Sequence, residues 1–382
     1  MEFALSEEQL AIQDMARRFA AEALAPHAAE WDEKKHFPVD VIKKSAALGL
    51  AGICVSEDIG GSNLGRLESA LIFEALSEAC PSTAAFISIH NMSAWMVDSF
   101  GGEALRRKYG PKLAAMELIA SYCLTEPGSG SDAAALRTKA VKDGDHYALN
   151  GSKAFISGAG VSDLYLVMAR TGGEGPRGVS AVLVEKGTKG LSFGAPERKL
   201  GWNSQPTAIV AFEDCRVPAA NRIGKEGEGF KIAMAGLDGG RLNIAACSLG
   251  AAAGALKAAL RYADERRAFG KRLNEFQTVQ FKLADMATEL EAARLFLYQA
   301  AWKLDRKTPD AARSCAMAKR FVTDVGFNVV NEALQIHGGY GYLRDYPLER
   351  MLRDLRAHQI LEGTNEIMRV IIARSLIKEH RK

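Results

Sequence analysis

Asp143-Gly144-Asp145-His146-Tyr147-Ala148-Leu149-Asn150-Gly151 is the stretch whose reading decides the fold. Asp-Gly and Asn-Gly, two dipeptides suited to tight hairpin turns, stand on either side of Tyr147–Leu149. The spacing predicts a hairpin strand bracketed by the two turns. Short β-rich runs continue the texture at Leu164 to Ala169, Val179 to Val184 and Ala208 to Phe212, with glycine-rich loops at 172–178 and 187–190. Residues 121–228 therefore read as an all-β module, a small sandwich or barrel.

On both sides of this module the period changes to that of helices. Upstream, an apolar pattern that begins at Phe3 and Leu5 continues through Leu10, Met15, Phe19 and Leu24, with Ser6 and Gln9 spaced as a capping box and Pro26 as a stop or kink. A second helix ends at Ser45–Leu50. A third covers Glu68–Cys80 with Pro81 after it, a fourth His90–Phe100 and a fifth Tyr109–Met116. Downstream the segments lengthen: Ile244–Arg267, rich in Ala and Gly, Phe276–Asp305, a helix opened by Pro309 and running to Ile336, and a last helix from Glu362 to Glu379. Long helices with short connections predict a bundle. The expected fold is α+β and multidomain: an N-terminal helical domain (1–120), a middle β domain (121–228) and a C-terminal helical bundle (229–382).

The 382 residues carry a formal net charge of +3 without a block of Lys and Arg, which argues against an electrostatic nucleic-acid footprint. Hydrophobic residues make up 48%, enough for a large core, and no basic leader or 18-residue apolar run is apparent, so neither secretion nor membrane insertion is expected. Cys54, Cys80, Cys123, Cys215, Cys247 and Cys315 lack metal or redox spacing and read as reduced thiols; no metal site is expected.

Several stretches carry chemistry. Glu362 follows Ile360 and Leu361 and precedes Gly363 and Thr364. Apolar walls raise a carboxylate's pKa toward that of a general base, while the bland alternative is an acid at a helix start complementing the dipole. Leu124-Thr-Glu-Pro-Gly-Ser-Gly-Ser-Asp132 offers backbone N–H groups and hydroxyls to a phosphate or a polar ring edge, or is a plain surface loop. Phe155-Ile-Ser-Gly-Ala-Gly160 contains Gly-x-Gly but lacks the third glycine and a following helix, which excludes a Rossmann-type site. Arg266, Arg267 and Lys271 either complement a helix C-terminus or hold a pyrophosphate. His90, Trp95 and His337 read as packing and helix-end hydrogen-bonding residues rather than ligands.

In register, Tyr122-Cys-Leu-Thr-Glu-Pro-Gly-Ser-Gly-Ser-Asp132, Arg266-Arg-Ala-Phe-Gly-Lys271, Gln335-Ile-His-Gly-Gly-Tyr-Gly341 and Glu362-Gly-Thr-Asn-Glu-Ile367 resemble the acyl-CoA dehydrogenase family over the whole chain. Ser88-Ile-His-Asn-Met92, the 150–160 run and Gly201-Trp-Asn-Ser-Gln-Pro206 resemble members acting on short branched thioesters, isobutyryl-CoA first, with butyryl-CoA, 2-methylbutyryl-CoA or an oxidase activity as alternatives. The resemblance implies FAD, an acyl-CoA substrate, electron-transferring flavoprotein as acceptor and a homotetramer. It implies a cytoplasmic location for a bacterial chain, or the mitochondrial matrix for a processed eukaryotic one. Glu362 matches the catalytic base. Some relatives carry that base on the helix of the Leu237-Asp-x-x-Arg241 motif, but Gly239 and Gly240 stand there.

Residues Tyr122, Leu124, Thr125, Gly130 and Ser131 match one flavin-contacting segment, and Phe155, Ile156 and Ser157 a second, with Phe155 where many relatives have Trp. The hydroxyls of Thr125 and Ser157 are expected at the ring edge. Arg266, Ala268, Phe269, Phe276 and Gln277, with Gln335, Ile336, Gly338 and Gly339, match segments that reach FAD across a subunit boundary. Thr364, Asn365 and Glu366 match its adenosine side. Ser131, Asp238, Arg241 and Gly363 match the path of the CoA thioester.

Overall fold

The computed structural model of the chain describes residues 4–381, so Phe3 of the N-terminal pattern lies outside the described residues. Helices come first: α1 (Glu7–Phe19), α2 (Ala28–Lys34), α3 (Val39–Lys44), α4 (Arg66–Ser77), α5 (Pro81–Phe100) and α6 (Glu103–Ala114). The capping box is present, with Gln9 N donating to Ser6 Oγ at 3.2 Å and Ser6 N to Gln9 Oε1 at 3.0 Å. Pro81 does not follow a helix ending at Cys80. It opens α5, where its missing N–H would have no intrahelical partner in any case. His90 is fully buried as a packing residue, bonded to Leu113 O and to Ala120 N.

The β region comprises β1 (Ala120–Cys123), β2 (Lys139–Asp143), β3 (His146–Ser157), β4 (Leu164–Arg170), β5 (Val179–Glu185), β6 (Leu191–Phe193), β7 (Thr207–Pro218) and β8 (Arg222–Ile223). Two halves, β6-β7-β3-β2 and β1-β4-β5-β8, join where Lys139 pairs with Arg170. Asp143 pairs with His146 across the expected turn. Asn150-Gly151 does not end the strand: β3 runs on to Ser157, with a register shift against β7 between Leu149 and Gly151. The glycine with the look of a turn residue, at φ +141°, serves a bulge. Strand β4 is apolar on both faces because two cores need it. Tyr165, Val167 and Ala169 face the interior of the β module, while Leu164, Leu166 and Met168 pack toward the helices.

The C-terminal region holds α7 (Gly229–Glu265), a short hairpin of β9 (Arg267–Ala268) and β10 (Lys271–Arg272), α8 (Gln277–Asp305), α9 (Ala311–His337), α10 (Leu348–His358) and α11 (Asn365–His380). By length and composition α7 is apolar enough to cross a bilayer, yet 78% of its most apolar window is buried inside the protein, which makes it a core helix. Its small residues allow close packing: a Cβ added at Gly250 would lie 1.9 Å from Glu74 O of α4. Pro309 stands in the turn before α9 rather than inside its first turn. The sequence reading missed α10, whose apolar stripe of Leu348, Met351 and Leu355 is thin among charged residues. That helix aims the chain at Glu362.

Candidate active site

Between α10 and α11 the chain reverses through Glu362 (φ +53°) and Gly363 (φ +92°). Glu362 therefore does not sit in the first turn of the last helix. The helix begins at Asn365, capped by Thr364, whose Oγ1 accepts from Ile367 N at 3.3 Å. A left-handed glutamate costs on the order of 1–3 kcal/mol and persists only where its surroundings hold it. Here α9 and α7 do so. Lys319 Nζ, fully buried, donates to Gly363 O at 2.8 Å and Asn365 Oδ1 at 2.9 Å. Arg241 Nε donates to Glu362 O at 3.3 Å, and Asn365 Nδ2 to Asp324 Oδ1 at 2.7 Å.

The Glu362 side chain points at α7, and Gly240 makes the room: a Cβ there would lie 2.3 Å from Glu362 Oε2. That oxygen is shut off from solvent and has no hydrogen-bond partner among the described residues. Burial pushes the carboxyl from its ordinary 4.5 up to about 7, against the opposing pull of Arg241 and Lys319. Burial likewise lowers Lys319 to about 8. The Tyr122 hydroxyl is also buried and unpartnered, and burial, followed by the charge of Glu362, raises it. The backbone N–H of Glu362 donates to no acceptor among the described residues. A carboxylate raised toward neutrality thus stands beside an uncommitted donor.

Arg241 and Asp238 lie together, Nη1 to Oδ1 at 2.7 Å, and Arg241 is only 5% exposed. Arg241 thus spends its guanidinium on Asp238 and the backbone of Glu362 rather than on an open surface. Asn365 commits its side chain to Lys319, Thr323 and Asp324, which makes it a lock on the loop. Thr364 and Glu366 flank it, with Glu366 exposed.

Two further patches hold the remaining candidates. At the edge of the β module, Ala154 N donates to Thr125 O at 2.8 Å, which joins the 122–131 and 155–157 segments. Lys153, buried with Glu126, braces the first of them through Leu124 O at 3.1 Å. Thr125 and Ser157 are half-buried, Gly130 and Ser131 exposed, and Leu124 and Ile156 buried, so the last two offer backbone only. Phe155 takes φ +58° and is 67% exposed. At the far end of α7, Arg266, Ile336, Gly338 and Gly339 line a cleft of about 470 Å³ whose floor is Tyr262 stacked on His337. Ile336 and His337 are buried, and His337 bonds Ala333 O, as a helix-end residue would. Beside the cleft Phe269 is 95% exposed, at an edge-on 6.4 Å from Phe276, with Ala268 half-buried and Gln277 and Gln335 exposed.

Comparison with known proteins decides the family. The acyl-CoA dehydrogenase N-terminal, middle and C-terminal domain models match residues 6–117, 121–215 and 227–377. The chain belongs to the acyl-CoA dehydrogenase family. It is 58% identical to the mitochondrial isobutyryl-CoA dehydrogenase of Bos taurus, over 98% of this chain and 90% of the relative. The butyryl-CoA dehydrogenase of Megasphaera elsdenii superposes with a TM-score of 0.96 at 39% identity, covering 99% of this chain and 100% of that one. The FAD complex of PigA superposes at 0.95 with 35% identity, covering 98% and 99%.

This acyl-CoA dehydrogenase is accordingly an FAD flavoprotein oxidoreductase with the family's three-domain fold. The residues present fit that cofactor. Thr125 and Ser157 hold side-chain hydroxyls that bond to nothing among the described residues, and a Cβ at Gly128 or Gly130 would meet open space. Such a donor-rich, uncrowded edge suits a planar ring with polar rims. Sequence reasoning missed Lys319, and it named Gly240 without seeing that it opens a recess for the Glu362 side chain. The signal for Lys319 was its place directly after the small and apolar Ser314-Cys-Ala-Met-Ala318 run, and that for the Gly240 recess a glycine pair inside a helix.

Proposed function

We propose that the enzyme dehydrogenates isobutyryl-CoA to methacrylyl-CoA in valine breakdown, with Glu362 as base. The carrying observation is the Glu362 carboxylate, raised to about 7 and without a partner at Oε2, beside a backbone N–H that bonds nothing among the described residues. An α-proton next to a thioester is a weak acid. Its removal needs a base of suitable pKa and donors at the oxygen that gains enolate character. Glu362 supplies the first through Oε2 and one of the second through its own N–H. Arg241 at Glu362 O and Lys319 at Gly363 O hold the backbone that follows that N–H, and substrate binding would exclude water from the carboxylate.

FAD, when bound, supplies the acceptor for the β-hydrogen. Thr125 and Ser157 would hold its ring edge, and Ser131, Asp238, Arg241 and Gly363 would border the thioester path. The branched substrate is supported by the 58% identity to a named isobutyryl-CoA dehydrogenase. By the same likeness the electrons would pass to electron-transferring flavoprotein, in the mitochondrial matrix or, in a bacterium, the cytoplasm.

Distance supports an assembly of copies, for which the family resemblance implies a homotetramer. Arg266 caps α7 some 26 residues beyond Gly240, about 39 Å along the axis at ~1.5 Å per residue. The Arg266 cleft is therefore too far from Glu362 of its own chain to share one cofactor with it. It would serve a neighbour's.

The test is an anaerobic titration of the purified enzyme with isobutyryl-CoA, butyryl-CoA and 2-methylbutyryl-CoA while the visible flavin absorption is followed. Preferential bleaching by isobutyryl-CoA is expected. Stronger bleaching by another thioester would keep the family and discard the substrate.

A further inference from the structure

The run Gly201-Trp-Asn-Ser-Gln-Pro206 has no role in the chemistry above, yet it crosses from the β module to α10, the helix that leads into the Glu362 loop. Trp202 is left-handed at φ +55° and only 6% exposed. Its backbone N donates to Asp354 Oδ1 of α10 at 2.6 Å, and its indole Nε1 to His358 Nε2 at 3.2 Å. His358 is fully buried at the last turn of α10, with Nδ1 2.7 Å from Ser248 Oγ of α7. The indole is a donor only, so Nε2 is the acceptor. The neutral ring then carries its proton on Nδ1 and donates it to Ser248, whose hydroxyl passes on to Ile244 O at 3.2 Å. Every polar atom in this chain has one consistent role.

The backbone is fitted as closely. A Cβ at Gly201 would lie 2.5 Å from the Arg353 carbonyl, so only glycine lets the loop seat on α10. The loop's other residues tie it down: Asn203 to Asp32, Ser204 to Ser82 Oγ, and Gln205 to Ser82 O. The indole packs in a small cluster with Ile244, Ala357 and Leu361, and Leu361 N donates to Ala357 O at 3.0 Å. Leu361 is the residue before Glu362.

We propose that Trp202, His358 and Ser248 form a positioning chain that fixes the end of α10, and through Leu361 the Glu362 loop, against α7 and its Gly240 recess. None of the three touches the reacting atoms. Trp202 fills the space behind Leu361, and His358 locks the indole to the helix that walls the carboxylate. Burial keeps His358 neutral, at about 3, with the neighbouring Lys319 cation adding to that effect, so the relay does not itself titrate near neutral pH. Asp354, at the other anchor, is raised to about 6 by burial, opposed by Arg350, the Trp202 N–H and Arg353, with Asp32 adding to the rise.

The proposal rests on Glu362 being the base, so the experiment includes Glu362→Gln as a control. Flavin-loaded enzyme is mixed anaerobically with isobutyryl-CoA, and the rate of bleaching is measured against pH. The groups facing Glu362 are Arg241 and Cys247 of α7, Lys319 of α9 and Tyr122 of β1; the acid limb of the profile is assigned to Glu362 itself. Trp202→Phe and Ser248→Ala keep most of the volume and remove one hydrogen bond each.

Both are expected to slow bleaching by about 10- to 100-fold above the limb, the size of effect that a displaced reacting group brings, with KM little changed. They also move the acid limb down from near pH 7 as water reaches Oε2. His358→Leu behaves alike, and His358→Gln, whose amide oxygen can accept from Trp202, recovers much of the loss. Wild-type rates and an unmoved limb in Trp202→Phe and Ser248→Ala would overturn the positioning chain while leaving the base intact. Bleaching at near wild-type rate by Glu362→Gln would overturn the base, and the chain's purpose with it.

Discussion

Shutting Glu362 Oε2 off from water sets the proposed function against stability at a single residue. Its folded pKa of about 7 lies above the ordinary 4.5, so the folded state binds the proton more tightly than the unfolded chain does. The group's stabilisation is fully present below pH 4.5 and is lost as pH rises through 7. At ~1.36 kcal/mol per pH unit, ionising it costs the fold about 3 kcal/mol by pH 9. Glu362→Gln removes that titration. Urea unfolding should therefore find the variant gaining on wild type by about 3 kcal/mol between pH 4 and pH 9, and a gap that stays constant with pH would contradict the buried, unpartnered carboxylate. The role proposed for Glu362 was legible in the motifs whose register carries the family resemblance; its neighbours Gly363 and Thr364 alone fitted a helix-start acid as well. Its left-handed backbone was not legible, because a non-glycine residue carries no mark of a positive φ that tertiary contacts impose.

At the scale of elements, the reversal between α10 and α11 depends on Lys319 of α9. Lys319→Met leaves Gly363 O and Asn365 Oδ1 without their shared donor in a buried place, at about 1–3 kcal/mol for each group. It also removes a cation that holds the Glu362 pKa down. The acid limb of the bleaching profile should then move above pH 7, the opposite direction from the Trp202→Phe shift; a limb that moves down or stays would deny Lys319 its electrostatic role.

The elements also show where sequence reading fails. Periodicity found the long helices and the core strands, since burial writes itself into spacing. Turn chemistry misled at Asn150-Gly151, where a bulge asks for the same residue types as a hairpin. Proline misled at Pro81, which stops one helix and opens another with equal ease. Helix α10 was hidden because its exposed face is highly charged and its buried face narrow, and with it went the context of Trp202.

At the scale of the whole molecule, the surface beyond α7 carries features that a neighbouring copy would cover. Phe269 stands 95% exposed with left-handed backbone (φ +53°) at the tip of the β9–β10 hairpin, beside Arg266 over the Tyr340 ring and the open Gly338-Gly339 backbone. Covering a bare aromatic ring gains about 25 cal/mol for each Å² taken from water, so such a tip would favour a contact that buries it. The motif Arg266-Arg-Ala-Phe-Gly-Lys271 was visible in the sequence, and the family resemblance implied that it serves a neighbouring copy; residue spacing alone did not, because subunit geometry leaves no periodic trace. If a neighbouring copy and its cofactor cover this end, Phe269→Asp puts a charge into the contact, and Arg266→Ala removes a cation from the cofactor while leaving the apolar contact whole. The two should separate: Phe269→Asp sediments as smaller species and loses flavin, whereas Arg266→Ala keeps its assembly and loses flavin on gel filtration. Full flavin content and unchanged size in Phe269→Asp would mean that the ring is free in the working enzyme, and the two-chain site would have to be abandoned.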